Sequence, residues 1–157
     1  MAQHLIAPGI YVQGPDVLAN AAEPLGTLRG RTAHLLGGRT ALSVAAEPLA
    51  ASLDEAGVDV AAVDDDVAAS TDDTVADYAG RVETSGADVV VGVGGGVAVD
   101  VATVVAAETD TEFVSVPTIA STDAPCSALG VVYDEAGNVQ GPVHRDRNPE
   151  VVLVDTR

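Results

Sequence analysis

The sequence contains no lysine and no tryptophan, and its charge is strongly unbalanced. Its seven basic residues are all arginine and stand against 24 acidic residues, which gives a formal net charge of −17. A field of this sign repels phosphate backbones and anionic lipids, so neither nucleic acid nor a membrane surface is expected as a partner. Concentrated salt screens the repulsion between like charges, because the Debye length falls to about 3 Å at 1 M. The composition therefore predicts a halophilic host and salt-dependent folding, with an ordinary acidic protein as the plainer alternative.

Cysteine and long apolar runs are also scarce. One cysteine, Cys126, excludes an internal disulfide and fits a reducing cytoplasm. The longest apolar runs, such as residues 89–93, are far shorter than the roughly 18 residues of a membrane span, and no signal-peptide pattern opens the chain. With 157 residues, of which 47% are apolar, the sequence predicts one cytoplasmic domain with a sizeable core.

Apolar runs alternate with helical patterns along the chain, which is typical of an α/β domain. The run at residues 88–93 indicates a parallel strand that is buried on both faces. We predict an open, mostly parallel, Rossmann-like sheet with helices on both faces, plus a β-hairpin near the C-terminus at residues 131–139. The predicted strands are residues 33–36, 58–63, 88–93, 113–116 and 151–154, and the predicted helices are residues 40–56, 72–84 and 97–108.

Two local signals refine the predicted helices. Pro48 lies inside the first helical pattern, so we expect a kink or two consecutive helices there. Ser70 and Asp73 have the spacing of a capping box before the second helix.

A triple glycine, Gly94, Gly95 and Gly96, lies between the most apolar strand and the helix that follows it. Backbone N–H groups at a helix N-terminus bind anionic phosphates, and glycine lets a phosphate approach without a Cβ in the way. The strict dinucleotide fingerprint does not fit, because Val97 holds the place of its third glycine, and a chain without lysine has no Walker A loop. A tight turn without a ligand is the equally weighted alternative.

A second candidate is the polar loop at residues 117–127, which follows the next strand. It carries the Asp123 carboxylate and four hydroxyl side chains, namely Thr118, Ser121, Thr122 and Ser127. Because ligands of open parallel sheets bind beyond the carboxyl ends of the strands, we expect this loop to face the triple glycine. The alternative is an ordinary turn that two prolines hold in place.

Together these motifs resemble those of the glycerol dehydrogenase branch of the metal-dependent (iron-type) alcohol dehydrogenases. The Ser-Thr-Asp-Ala-Pro segment at residues 121–125 is the most specific of them. The matching segments are residues 92–96 with Asp100, then residues 117–125, 127–129 and 148–156, and the opening segment at residues 8–14.

The resemblance implies a dinucleotide-binding domain over residues 1–157. In this family, a helical C-terminal domain holds a divalent metal, zinc in this branch, and hydride moves between glycerol or a similar polyol and NAD(P). The metal acts as a Lewis acid that stabilises the alkoxide from which hydride leaves. The resemblance places Asp123 at the substrate hydroxyls. It assigns cofactor contacts to Gly94, Gly95, Gly96, Asp100, Thr118, Ser121, Ser127, Leu129 and Tyr133.

Several positions depart from the family pattern. Val97 and Thr103 stand where the family typically has lysines near the cofactor phosphates. Gly38 replaces the aspartate that usually ends the first strand of the family and binds the adenosine ribose. Arg39 follows it, so use of NADP is an alternative to NAD, while an Arg39 without any ligand role is an equal one.

The family is more than twice as long as this chain, and its metal ligands lie beyond residue 157. We therefore expect the helical metal-binding domain to be absent, no catalytic or metal-binding residue in this chain, and no turnover by the chain alone. A partner chain with the helical half would restore activity, and an uncovered apolar surface would favour self-association. The three histidines, His4, His34 and His144, have no metal-ligand spacing.

Two further residue groups have non-catalytic interpretations. The acidic run at residues 64–66 could hold a hard cation, but a solvated turn is the favoured interpretation. Cys126 is interpreted as a packed residue, because no histidine stands at a recognisable spacing for a nucleophile.

The sequence is compatible with three functions. The first is the cofactor-binding half of a glycerol dehydrogenase-like enzyme, present as a split subunit or a fragment. The second is a degenerate, non-catalytic nucleotide-binding or interaction module. The third is an enzyme like sn-glycerol-1-phosphate dehydrogenase, against which the Ser-Thr-Asp-Ala-Pro segment and the negative charge argue. We favour the first.

Overall fold

The computed structural model describes residues 6–157, so His4 lies outside the described residues. Among these residues, six strands form one fully parallel sheet in the order β1-β8-β5-β4-β2-β3, and two further strands, β6 and β7, form an antiparallel hairpin. The strands are β1 (Ile10–Gly14), β2 (Thr32–Gly37), β3 (Asp59–Asp64), β4 (Val89–Gly94), β5 (Glu112–Pro117), β6 (Leu129–Tyr133), β7 (Val139–His144) and β8 (Val151–Asp155).

In the described part of the chain, four α-helices connect the strands, and short 3₁₀ helices lie at Leu18–Asn20 and Ala124–Cys126. Within residues 6–157, none of the helices combines the length and the apolar character needed to cross a bilayer. The α-helices are α1 (Ala22–Leu25), α2 (Arg39–Glu55), α3 (Asp72–Ser85) and α4 (Gly96–Glu108).

The sheet separates two hydrophobic cores. Successive side chains of a strand point to opposite faces, so Val89, Val91 and Val93 of β4 pack against α1 and α2, whereas Val90 packs against α3 and α4. All six residues of β4 are buried, as its continuous apolar run predicts. The predicted parallel sheet with helices on both faces and a C-terminal hairpin is confirmed.

The direction of the chain connections reverses between β2 and β4. From β2 the chain runs through α2, on one face, to β3 at the edge of the sheet. From β4 it runs through α4, on the opposite face, to β5 on the other side. Because α2 and α4 leave neighbouring strands toward opposite faces, a crevice opens between the carboxyl ends of β2 and β4.

The structure changes the predictions for α2. It is a single helix with Pro48 in its interior, so the prediction of two consecutive helices is wrong. Leu42, Ala45, Leu49 and Leu53 form one buried stripe that continues past the proline. Burial of this stripe against the sheet outweighs the hydrogen bond that proline cannot donate. Neither β1 nor α1 was predicted from the sequence.

The predicted cap of α3 is wrong by one residue. Thr71 is the N-cap, and its hydroxyl accepts a hydrogen bond from the Thr74 N–H at 3.2 Å. Ser70 is buried, and its hydroxyl donates to the Val131 carbonyl oxygen at 2.6 Å. The Ser70 side chain is therefore engaged with the hairpin and cannot cap the helix.

Removal of the Thr71 hydroxyl tests this cap. The Thr71→Ala variant is expected to lose about 1 kcal/mol of unfolding free energy, because an N–H group at the start of α3 loses its partner. Urea unfolding in concentrated KCl measures the loss. Thr84→Ala, at an exposed position near the other end of α3, is the control and should change stability by less than about 0.5 kcal/mol. Equal stabilities of the two variants would contradict the assigned cap.

Candidate functional site

A groove of about 580 Å³ occupies the crevice between the carboxyl ends of β2 and β4. One wall comes from the start of α2 and the segment after β3, and the other from the glycine turn and the loop after β5. Within the described residues its lining is Gly38, Arg39, Thr40, Ala41, Val44, Val67, Ala68, Gly94, Gly95, Gly96, Val97, Ala98, Thr118 and Ile119.

The glycine turn presents bare backbone to this groove. Gly94 has φ +144°, a conformation that favours glycine, and a Cβ there would lie 3.0 Å from the Ala98 Cβ. Gly95 is the N-cap of α4, with φ −84°, and no side chain caps the helix. A Cβ at Gly95 would meet the Ile119 side chain at 3.7 Å, an ordinary contact. Gly94 is therefore required by the turn, whereas Gly95 leaves space open in the groove.

The loop after β5 lies beside the glycine turn. The Thr118 N–H donates a hydrogen bond to the Gly94 carbonyl oxygen at 3.0 Å. A Cβ at Gly96 would lie 3.7 Å from the Thr122 side chain. The structure thus brings Gly94, Gly95, Gly96 and Thr118 together, which is the juxtaposition expected from the parallel-sheet rule.

Other predicted site residues lie on the far side of the loop. Asp123, Ser127 and Leu129 line a second, shallow groove of about 390 Å³, beside His144 and Asn148 of the hairpin region. In the loop itself, Ser127 accepts a hydrogen bond from the Leu129 N–H at 3.0 Å. The structure therefore separates these three side chains from the groove at the glycine turn.

Three predicted residues, Asp100, Ser121 and Tyr133, line neither groove. Ser121 is exposed in the loop. Tyr133 lies at the far end of β6, where its backbone N–H donates to the Ser70 carbonyl oxygen at 2.8 Å. Their contacts with a cofactor stay predictions.

The charge environment of Asp100 differs from that of an exposed carboxylate. Asp100 is half-buried on α4. Burial raises its pKa, the negative charge of Asp123 adds a smaller increase, and the Val131 N–H opposes both.

The same two causes, burial first and Asp123 second, raise the pKa of the Cys126 thiol. A thiol with a raised pKa is a poor nucleophile, which agrees with the interpretation of Cys126 as a packed residue.

Arg39 is the basic residue among those that line the groove. Its side chain is 81% exposed, and its Nε lies 3.4 Å from an oxygen of Asp65. The two positions where the family typically has lysines differ from each other. Val97 is 44% exposed at the edge of the groove, whereas Thr103 is fully buried and donates to the Val99 carbonyl oxygen.

The acidic run at residues 64–66 is not a fully solvated turn, so that prediction is corrected. Asp64 lies 2.8 Å from Nε2 of the buried His34 and accepts a hydrogen bond from Arg81 at 2.9 Å. Asp66 accepts from the Tyr78 hydroxyl at 2.7 Å, which lowers the pKa of Asp66. Within residues 6–157, no three side chains of His, Cys, Asp or Glu are grouped so that they could hold a metal ion.

Part of one wall of the groove was not predicted from the sequence. Thr40, Ala41, Val67 and Ala68 contribute to this wall, and the Thr40 hydroxyl is the polar side-chain group among these four. The available signal was the glycine pair at the end of the β2 strand, combined with the rule that sites lie at the carboxyl ends of parallel strands. Using that signal requires knowing that β2 and β4 are neighbours, which the sequence does not state.

The sequence of this chain is similar to those of known proteins. A family model of iron-containing alcohol dehydrogenases matches residues 8–156. The chain is 38% identical over 151 residues to a glycerol dehydrogenase of Thermotoga maritima and 37% identical over 150 residues to a glycolaldehyde reductase of Halobacterium salinarum. Each alignment covers 96% of this chain and 40% of the relative, so the chain spans less than half the length of these curated relatives.

Solved structures agree with the sequence comparisons. The fold superposes with a TM-score of 0.83 on a probable glycerol dehydrogenase from Sinorhizobium meliloti 1021, with 32% sequence identity. That alignment covers 99% of this chain and 41% of the other. The match of the family model over nearly the whole chain, with this shared fold, shows that the chain belongs to the iron-containing alcohol dehydrogenase family.

Proposed function

We propose that this domain binds the dinucleotide of a glycerol dehydrogenase-like oxidoreductase, which transfers hydride between glycerol or a similar polyol and NAD(P). The observation that carries the proposal is the groove at the point where the chain connections reverse between β2 and β4. Open α/β sheets bind their ligands at such a point, beyond the carboxyl ends of the strands.

The glycine turn would hold the pyrophosphate. The backbone of Gly95 and Gly96 faces the groove without a Cβ, at the start of the 13-residue helix α4. A negative charge is favoured there by the helix dipole and by N–H groups without a partner inside the helix. The Thr118 hydroxyl, which lies beside the turn, would donate a further hydrogen bond to the dinucleotide.

The remaining assigned contacts are part of the same proposal. Asp100 would support the pyrophosphate turn, and Ser121, Ser127, Leu129 and Tyr133 would line the path of the cofactor beyond it. Asp123 would accept hydrogen bonds from the substrate hydroxyls. The Thermotoga maritima relative is a glycerol dehydrogenase and the Halobacterium salinarum relative a glycolaldehyde reductase, which supports a small hydroxylated substrate.

Catalysis would need metal-binding side chains in addition to those that residues 6–157 provide. The family is described as iron-containing, but the described residues offer no group of three metal-binding side chains. We propose that a helical, metal-binding part, zinc-loaded as in the glycerol dehydrogenase branch, completes the site on a partner chain or elsewhere in the enzyme. The domain alone is expected to bind dinucleotide weakly and to lack turnover.

We also propose that the protein works in the cytoplasm of a salt-accumulating organism. The absence of lysine and the net charge of −17 support this setting. The 37% identity to a protein of Halobacterium salinarum supports it as well.

Titration calorimetry of the 157-residue chain with NADH and with NADPH, in about 1 M KCl, tests the proposal. Saturable binding of at least one dinucleotide is expected, and Gly95→Val should weaken it at least tenfold. The valine side chain fits the extended backbone of Gly95 and would occupy the space of the pyrophosphate.

Gly80→Val is the matched control, because Gly80 is exposed on α3 with open space around its Cβ position. This variant should bind as the wild-type chain does. Absence of saturable binding to a chain that circular dichroism shows to be folded would overturn the proposal. Equal affinity of the Gly95→Val and wild-type chains would overturn the assigned position of the pyrophosphate.

A further inference from the structure

Part of one wall of the groove at the glycine turn is a segment without regular secondary structure. This wall segment comprises residues 67–70, between β3 and α3, and contributes Val67 and Ala68 to the lining of the groove. Its two middle residues, Ala68 and Ala69, are exposed, so packing does not hold them in place. The position of the wall segment therefore depends on the contacts at its two ends.

The first end of the wall segment is attached to the end of β2. Asp66, just before the segment, forms an antiparallel bridge with Gly38. The Val67 N–H donates a hydrogen bond to the Gly37 carbonyl oxygen at 3.2 Å. Gly37 is the last residue of β2, and Gly38 lines the groove. This end of the segment is therefore fixed to the sheet.

The other end of the wall segment is attached to the hairpin through Ser70, which is only 2% exposed. Its carbonyl oxygen accepts a hydrogen bond from the Tyr133 N–H at 2.8 Å, and its hydroxyl donates to the Val131 carbonyl oxygen at 2.6 Å. A backbone bridge between Thr71 and Tyr133 belongs to the same attachment. The Ser70 hydroxyl adds a second residue of β6 to this attachment, which fixes the orientation of the wall segment on the strand.

The hairpin in turn packs directly on α4, the helix that begins at the glycine turn in the opposite wall. A Cβ at Gly130, in β6, would lie 2.6 Å from a side-chain carbon of Val104 and 2.8 Å from the Asp100 carbonyl oxygen. No side chain therefore fits between β6 and α4 at this position. The next residue, Val131, has its N–H close to the Asp100 carboxylate. Burial raises the pKa of this carboxyl, and the Val131 N–H acts against that rise.

Val131 thus contacts both the wall segment and the helix of the opposite wall, although it does not itself line the groove. Resting on the proposed function, we infer that Ser70 is a positioning residue for the dinucleotide: its hydrogen bond to the hairpin holds the two walls at the spacing of the bound cofactor. A wall that is held in place before binding lowers the entropic cost of ordering it around the ligand. Without the hydroxyl, the wall segment would have to be ordered when the dinucleotide binds.

Calorimetric titration of Ser70→Ala with NADH and with NADPH, in about 1 M KCl, tests the inference. For whichever dinucleotide the wild-type chain binds, the affinity of Ser70→Ala should be about fivefold lower, the equivalent of one net hydrogen bond. Ser52→Ala is the matched control. Ser52 is 1% exposed, and its hydroxyl donates to the Leu18 carbonyl oxygen at 2.7 Å, at the end of α2 that lies away from the groove. This variant should lose stability and keep the wild-type affinity.

Hydrogen exchange of single amides adds a measurement that a purely structural role of Ser70 would not change. Saturation of the wild-type chain with the dinucleotide should slow exchange of the Val131 N–H, and Ser70→Ala should abolish this response. Three results would overturn the inference and leave the proposed function intact: wild-type affinity in Ser70→Ala, equal losses of affinity in Ser70→Ala and Ser52→Ala, or a Val131 N–H that does not respond to the dinucleotide in the wild-type chain. Binding of neither dinucleotide to the folded wild-type chain would overturn both.

Discussion

Replacement of Glu150 with alanine is expected to destabilise the fold by about 3–5 kcal/mol, the usual cost of leaving a buried charge without its partner. Glu150 is partly buried just before β8. It accepts hydrogen bonds from the Phe113 N–H at 2.6 Å, from Arg145 at 3.4 Å and from Arg147. The Arg145 side chain is only 3% exposed and lies over the Phe113 ring, 5.5 Å from its centroid.

The loss in Glu150→Ala has two parts. The Arg145 guanidinium keeps its hydrogen bond to the Thr111 carbonyl oxygen at 3.0 Å, but it loses the opposite charge that offsets its burial. The Phe113 N–H, at the start of β5, loses its acceptor in a partly buried place. Urea unfolding in about 1 M KCl measures the change, and a loss below about 1 kcal/mol would contradict this account.

The Glu150→Gln variant separates the charge from the hydrogen bond. Burial works to raise the pKa of Glu150, but the Phe113 N–H and the two arginines outweigh it, so its pKa lies below the ordinary value. A carboxylate with a lowered pKa stabilises the fold above its unfolded-state pKa, and this stability is lost as the pH falls through the folded-state pKa. The stability difference between wild type and Glu150→Gln should therefore be largest near neutral pH and shrink in acid. Glu47→Gln, at an exposed position on α2, is the control.

The extent to which the fold could be predicted depends on whether its signals are local. The β4 strand and α4 were predicted nearly to the residue, because a continuous apolar run, three glycines and an apolar helix follow each other directly. The β1 strand was missed. It is a five-residue edge strand with alternating burial, and its partner β8 lies about 140 residues away. Its strand conformation depends on that distant pairing.

Some parts of the candidate site could likewise be predicted from local signals in the sequence, and others could not. The glycine turn and Thr118 could be predicted to meet, since both follow neighbouring segments of the chain and parallel strands end at the same edge. The resemblance pointed to Gly38, but the wall at Val67 and Ala68 could not be predicted, because it depends on β2 lying next to β4. The interaction of Arg145 with Glu150 also requires the three-dimensional arrangement, as a buried arginine has no signature in the sequence.

Transfer of the chain from about 1 M to about 0.01 M KCl is expected to unfold it or to remove most of its stability, because the Debye length grows from about 3 Å to about 30 Å. Within residues 6–157, six of the seven arginines already pair with carboxylates. Only Arg31 is therefore left for the remaining acidic side chains, and the net charge of −17 must be screened by ions. Circular dichroism at decreasing KCl concentration, followed by urea unfolding at each concentration, measures the effect.

Acidic side chains at the C-terminal ends of helices should contribute most to this salt requirement. Asp54 and Glu55 at the end of α2 and Glu108 at the end of α4 are exposed and lie beside the negative end of a helix dipole. The double variant Glu55→Gln and Glu108→Gln should therefore fold at a lower KCl concentration than the wild-type chain. The matched control changes Asp72 and Asp73 to asparagine in the first turn of α3, where negative charge is favourable, and should give little or no such gain. The opposite result would be an unfolding free energy that keeps rising well above about 1 M KCl and rises equally steeply in both variants. It would show that salt strengthens apolar burial and does not act by screening charge.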